Sequence, residues 1–359
     1  MKYVFFIINE AIQITYVKLS LPKLSAEKFT ENFLSMVVHG RNSGPYKFAF
    51  ARFLIEYCNQ SAVAKHVDFP TTSQFFLRFF WPQVCKTKLK HSPRYLKKGG
   101  VKEPDIITII QNEFSESWYP KYYPYYEKND QQKIQNCIDE ITQKCFNDVV
   151  WRFQKINNKE NKILFDYKVK PGWRNPNKKN TDLSYGINVN PEFIEFVKRR
   201  YMLLKTLVIH EWAKFLEKYN HGVPLIIQKL SGEKIKRKDT KTEKEILGKH
   251  HENCFYCGDK LQPGKQTHLE HVIPFDYIAE DNIWNFSLAC QKCNCKKSGA
   301  LPTEDKLEEL ITNITNDRNK EEMELLDNSL KELGDDFADV IRNHYRNAKK
   351  VGYAEIIMP

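Results

Sequence analysis

Apolar side chains recur at helical spacing through most of the first 220 residues. Over 24–65, Thr30 with Phe33, Leu34, Val37 and Val38 starts one stripe. After a Gly44-Pro45 break, Tyr46, Ala49, Phe50, Phe53, Leu54 and Tyr57 continue it. Phe75, Phe76, Phe79, Phe80 and Trp81 form an aromatic cluster that Pro82 is expected to end. Such a cluster reads as core packing, with a base-stacking platform as the functional alternative. Residues 104–114 and 130–156 again predict helices. Asp130 is placed to cap the second, and Ile134, Ile138, Ile141, Cys145 and Val149 stripe it. Alternation over 162–169 and 183–189 predicts a hairpin around a basic loop beginning at Pro171. A long helix is expected from Glu192, after Pro191, to about Tyr219. It carries Phe193, Phe196, Val197, Leu203, Leu204, Leu207, Val208, Trp212 and Phe215, with His210 between them expected to be packed or hydrogen-bonded rather than a ligand. Further on, 266–272 and 284–289 read as short strands, and a helix runs from about Gln291 to near Gly299. Leu307, Leu310, Ile311 and Ile314 give the tail a helical stripe, expected to form a helical pair packed on the body. The fold class implied is α+β and mainly helical.

Charge adds a partner to this outline. The 359 residues include 56 Lys+Arg and 45 Asp+Glu, a net of +11. Residues 303–339 hold 13 acids and 4 bases, so the rest of the chain carries +20. A balance of this kind favours phosphates or an anionic membrane surface. The bases gather at 86–102, 168–179 and 229–249, the last reading as a mobile basic linker or an exposed helix. No run of about 18 apolar residues is present, so no transmembrane helix and no membrane partner are expected. The apolar run within Met1–Glu10 is short and lacks a small-residue cleavage pattern, so a strand or short helix fits it better than a signal peptide. A cytoplasmic location is the expectation. With 23 Phe, 18 Tyr and 6 Trp there is ample material for cores.

The nine cysteines supply the chemistry. An odd count without secretory context argues against a disulfide scaffold. Cys58, Cys85, Cys137 and Cys145 stand singly and read as small buried hydrophobes. Cys254 and Cys257 form one Cys-x-x-Cys knuckle, and Cys290 and Cys293 a second. Four thiolates suit tetrahedral zinc at about 2.3 Å per Zn–S bond, in preference to an iron–sulfur cluster. Cys295 is surplus. A zinc with four sulfur ligands has no place for water, so its role is structural. Thirty-two residues separate Cys257 from Cys290, more than a simple zinc ribbon needs, so something is inserted between the knuckles. The insert contains Gln266-Thr-His-Leu-Glu270-His271-Val-Ile-Pro and Asp281-Asn-Ile-Trp-Asn285-Phe-Ser-Leu-Ala-Cys290, and Asn294 and Lys297-Ser298 follow the second knuckle.

Glu270-His271-Val-Ile-Pro, Trp284-Asn285-Phe-Ser-Leu-Ala-Cys290 and Cys293-Asn294-x-x-Lys297-Ser298 together resemble the HNH endonucleases of the ββα-metal superfamily. The resemblance covers about Cys254 to Pro302. The helix around Phe193–Asn220 is also similar, more weakly, to standalone HNH proteins of bacterial restriction and phage defence. The family implies a general base at His271, whose imidazole, with an ordinary pKa of about 6.5, is available at neutral pH. It implies that Glu270 and Asn294 hold one divalent ion, Mg²⁺ with Mn²⁺ as a substitute, through hard oxygen ligands. Asn285 would hold the loop or orient His271, and Lys297 would contact phosphate, a role its neighbour Lys296 could share. The family usually carries Asp where Glu270 stands. The longer side chain shifts the metal's place, and His268 is an alternative ligand.

The sequence therefore predicts four regions: 1–160, mostly helical, for DNA recognition or partner binding; 161–249, a hairpin, long helix and basic linker; 250–302, the HNH core with its zinc; and 303–359, an acidic helical tail. The function expected is a metal-dependent DNA endonuclease of restriction or anti-phage defence, acting as a homodimer or under a defence-system partner. The alternative is a zinc-stabilised nucleic-acid-binding module, or a partner-controlled effector that does not cut by itself.

Overall fold

The early apolar stripes fold as helices in a computed structural model that describes residues 23–39, 44–92, 94–95, 101–114, 120–146, 148–156, 159–167, 186–231, 237–261 and 266–358. Helices α1 (Lys23–Val37) and α2 (Tyr46–Cys58) flank the Gly44-Pro45 break. Strand β1 (His66–Asp68) runs straight into α3 (Phe69–Cys85). Asp68 caps α3 by accepting the Thr71 N–H at 2.7 Å, and a proline sits in the first turn. Pro82 does not end this helix. It removes one N–H, while its own carbonyl accepts from Lys86 and Thr87 at 3.0 and 2.9 Å. The five aromatic residues before it are all buried, and that packing outweighs one lost hydrogen bond.

Strands β2 (Arg94–Tyr95) and β3 (Val101–Lys102) pair within the basic segment, and α4 (Asp105–Glu113) and α5 (Tyr123–Asn129) follow. Asp130 caps α6 (Gln131–Lys144), accepting the Lys133 N–H at 3.3 Å. The one helix expected over 130–156 is divided at Cys145. A short α7 (Val149–Phe153) and a two-residue strand β4 (Lys155–Ile156), paired with β5 (Lys159–Glu160), complete the segment. Buried Gln154 turns the chain here: its Oε1 accepts from Leu164 N and Phe165 N, and its Nε2 donates to Phe165 O at 2.7 Å. The predicted hairpin is β6 (Phe165–Tyr167) with β7 (Gly186–Val189), Phe165 opposite Val189. Its basic loop lies outside the described residues, as do residues 1–22. Strand β1 adds on the other side of β7, too short for a period-two pattern to reveal it. Gly186 is required at that crossing, because a Cβ there would stand 2.0 Å from the Val67 carbonyl oxygen.

Helix α8 (Pro191–Glu217) opens on Asn190, whose side chain accepts from Glu192 N and donates to Ile163 O. His210, expected to be packed, is exposed on its outer face. The described part of 229–249 lies in α9 (Ile226–Ser231), a short connection and α10 (Lys241–His250). Then come β8 (Thr267–His271), α11 (Phe275–Ile278), β9 (Phe286–Cys290) and α12 (Gln291–Lys297). β8 and β9 are antiparallel, with Thr267 opposite Cys290 and His271 opposite Phe286. Trp284 and Asn285 fall in a 3-10 turn rather than in the second strand. The tail holds three helices, not a pair: α13 (Glu304–Asp317), α14 (Glu324–Leu333) and α15 (Phe337–Val351). The buried stripe Phe337, Ile341, Tyr345 and Ala348 makes the third.

One apolar core runs from Phe29 to Tyr353, across the expected region boundaries. The four isolated cysteines lie in it. Arg52 of α2 donates to the Leu230 and Ser231 carbonyls at 2.6 and 2.8 Å, capping α9. The tail docks on the insert, with His344 stacked on Trp284 at 6.1 Å between ring centroids, and the Tyr353 hydroxyl donates to the Lys86 carbonyl at 2.9 Å. The fold is mainly helical α+β with small sheets. Among the described residues no helix is long and apolar enough to cross a membrane.

Candidate active site

The first knuckle turns tightly because Gly258 takes φ +75°, which leaves its N–H on the Cys254 carbonyl at 2.9 Å. The second knuckle comes from the junction of β9 and α12. The Sγ atoms of Cys254, Cys257, Cys290 and Cys293 lie within 4.8 Å of one another, with Cys257 and Cys290 at 3.9 Å. A tetrahedron with Zn–S bonds of about 2.3 Å has S···S edges of about 3.8 Å, so the four sulfurs fit zinc. Burial raises the Cys254 thiol, but the N–H groups of Cys257, Cys290 and Tyr256 outweigh it and bring its pKa down to about 7, while burial pushes the Cys257 and Cys293 thiols up. Cys295 is exposed, away from the cluster. The tail closes over this corner, where Ile356 and Met358 pack against the cysteine residues.

His271 ends β8 and is largely buried. Phe275 and Phe286 present their rings at 5.2 and 4.6 Å from its own. Its Nε2 lies 3.0 Å from Oδ1 of Asp281. A carboxylate only accepts, so the neutral imidazole carries its proton on Nε2 and keeps a lone pair on Nδ1. Burial lowers the His271 pKa to about 4, helped by the Arg237 charge and opposed by Asp281. Above that range the ring is a free base. Asp281 is itself almost completely buried; its Oδ1 forms an ion pair with Arg237 Nε at 3.0 Å and its Oδ2 accepts from Lys238 N at 2.9 Å. Neither Asp281 nor Arg237 stands out in the sequence. Asp281 lies ten residues from His271 across a loop, and Arg237 reads as one cation of a basic run.

Asn285 is wholly buried and holds the loop that follows His271. Its amide donates to Ile273 O and accepts from Ile273 N, both at 2.8 Å, and its own carbonyl accepts from Val272 N. Among the described residues the partner of the His271 ring is Asp281, not Asn285. Lys297, given a phosphate contact by the resemblance, is fully buried. Its ammonium donates to Glu270 Oε1 and to the His271 carbonyl at 2.6 Å. Burial pushes Glu270 up and Lys297 down, while each one's charge steadies the other. Lys296, beside it, is exposed.

Asn294 sits one turn before Lys297 on α12, half-buried, and its amide has no partner among the described residues. His268 lies on the Glu270 face of β8, and its buried Nε2 is unpaired. Ser287, opposite Glu270 in the ladder, has its hydroxyl beside that of buried Tyr256. Glu270, already paired with Lys297, and Asn294, whose amide is free, offer the oxygen donors that a small, hard cation takes while keeping part of its water.

No curated protein and no solved structure matches the chain. Residues 254–299 match the family model described as HNH endonuclease. That span contains both knuckles, Glu270, His271, Asp281, Asn285, Asn294 and Lys297, and it identifies the segment as an HNH endonuclease domain with a four-cysteine cluster compatible with zinc.

Proposed function

We propose that the chain is a metal-dependent DNA endonuclease that hydrolyses phosphodiester bonds. The observation that carries this reading is the His271–Asp281 pair, which leaves Nδ1 as the basic atom of the ring. Nδ1 of His271 takes a proton from the water that attacks phosphorus, and the bond to the leaving oxygen breaks. The buried Asp281 carboxylate fixes the ring and steadies the imidazolium that forms. Glu270 and Asn294 would hold one Mg²⁺, with Mn²⁺ as a substitute; such an ion supplies charge neutralisation at the scissile phosphate and the leaving oxygen. Lys297 fixes the direction of the Glu270 carboxylate from beneath. Asn285 keeps the loop after His271 closed. The zinc cluster holds the two strands and α12 together and takes no part in the chemistry.

The helical body before residue 250, with its basic segments, would track the DNA backbone and select the site. Restriction or anti-phage defence is the setting we favour, with a homodimer or a defence-system partner completing the active form. A second reading, a partner-controlled effector or a binding module that does not cut by itself, draws on one observation: Lys297 already occupies Oε1 of Glu270. Plasmid DNA incubated with the purified chain in Mg²⁺ separates the two. The nuclease reading expects nicks or cuts by wild type, and none by His271→Ala with its zinc content intact. Fixed ends would mark restriction and scattered ends a nonspecific effector. Cutting of RNA alone would overturn the substrate, and undiminished cutting by His271→Ala would overturn the mechanism.

A further inference from the structure

The sequence places Arg237 in a basic linker, where most cations face water. In the fold it reaches into the nuclease site from outside the 254–299 span. Its Nε forms an ion pair with Oδ1 of Asp281 at 3.0 Å, the same oxygen that meets His271 Nε2 at 3.0 Å. The next residue, Lys238, donates its backbone N–H to Oδ2 at 2.9 Å. The guanidinium lies over the Phe275 ring at 4.0 Å, and that ring is edge-on to His271 at 5.2 Å. The linker thus grips both oxygens of a carboxylate that is 1% exposed, and also packs on a neighbour of the base. On the other side of the linker, Arg52 of α2 holds the Leu230 and Ser231 carbonyls, and Lys229 of α9 donates to the Tyr277 carbonyl at 2.6 Å. Tyr277 belongs to α11, inside the loop that carries Asp281.

We infer that Arg237 is a positioning residue of the nuclease site: it fixes Asp281 and through it the direction of His271. The inference rests on the nuclease reading above. A buried carboxylate stays in place only while its donors are complete. Without Arg237, Asp281 keeps one backbone N–H and the imidazole. It is then free to turn, and the ring turns with it. Arg is suited to the task because one guanidinium can donate to a carboxylate and stack on an aromatic face at once.

The test is a cycle of Arg237→Ala, Arg237→Lys, Asp281→Asn and the double variant Arg237→Ala/Asp281→Asn. Each is assayed on plasmid DNA in Mg²⁺ under steady-state and single-turnover conditions, with zinc content and melting temperature checked alongside. Arg237→Ala is expected to lower kcat by about 10- to 100-fold with KM nearly unchanged, as loss of a supporting partner does. Arg237→Lys should recover part of the rate, and so should guanidinium ion added to Arg237→Ala. The double variant should be no slower than Asp281→Asn alone, because Arg237 acts through that carboxylate. If Arg237→Ala loses zinc or its melt, Arg237→Lys carries the comparison. Wild-type rate in Arg237→Ala overturns the inference and leaves the nuclease reading standing. So does a loss that appears in KM and multiplies with that of Asp281→Asn, since it would make Arg237 a DNA contact. No cleavage by wild type overturns the nuclease reading, and the inference with it.

Discussion

A single carboxylate oxygen, Oδ1 of Asp281, meets both His271 Nε2 and Arg237 Nε. Asp281→Asn keeps the shape but replaces an acceptor-only group with an amide. The amide can point its N–H at the ring and favour the wrong tautomer. We expect kcat to fall on the order of 100-fold or more with zinc retained, measured by plasmid cleavage beside metal analysis. A second buried histidine governs stability rather than chemistry. His91 packs 5.5 Å from Phe80, both of its nitrogens are unpaired, and burial holds its pKa at about 3 against an ordinary 6.5. The unfolded chain takes up that proton near 6.5 and the folded one only near 3. Stability is therefore whole above about 6.5 and is lost as pH falls towards 3. His91→Phe should flatten that acid limb in denaturant titrations run between these values; an unchanged limb would show that His91 does not set it. At this scale the sequence reveals residue types and spacing. Cys254, Cys257, Cys290 and Cys293 are legible because each knuckle is a local turn. The burial of Lys297 is not, because a lysine in a short basic run reads as solvent-facing until its acidic partner, 27 residues away, is seen.

Elements explain why the loop between β8 and β9 can hold His271 still. The loop spans residues 272–285 and is closed by the two hydrogen bonds of the Asn285 amide to Ile273. Both are buried, so Asn285→Ala leaves a donor and an acceptor unpaired at about 1–3 kcal/mol each. The expected result is a lower melting temperature and slower cleavage with zinc still bound. A variant as stable and as fast as wild type would remove Asn285 from the account. Long helices and the two core strands were readable from periodicity because their apolar stripes are sustained. Misreadings fell where tertiary packing overrides a local rule. Pro82 stays inside α3 because its aromatic face is buried, and the segment over 130–156 breaks at Cys145, where Gln154 pulls the chain toward β6. Strand β1, three residues long, exists only because β7 offers it an edge.

Across the whole molecule, the zinc corner, the HNH domain and the tail support one another. Leu301 N donates to Ala354 O at 2.8 Å, Ile356 N to Leu301 O at 2.9 Å, and Ile356 and Met358 pack on the cysteine corner. Removing zinc with a strong chelator should therefore lower the melting temperature and also raise hydrogen exchange over residues 353–358. Unchanged protection there would show that the tail docks independently of the metal. Net charge distinguished phosphate partners from neutral ones but not nucleic acid from membrane; the HNH segment makes that choice. Whether His271 is the base of a phosphodiester hydrolysis is decided by plasmid cleavage in Mg²⁺ with wild type and with His271→Ala at equal zinc content. Wild type should leave nicked or linear DNA and the variant intact supercoiled DNA; equal cutting by both would show that His271 is not the base.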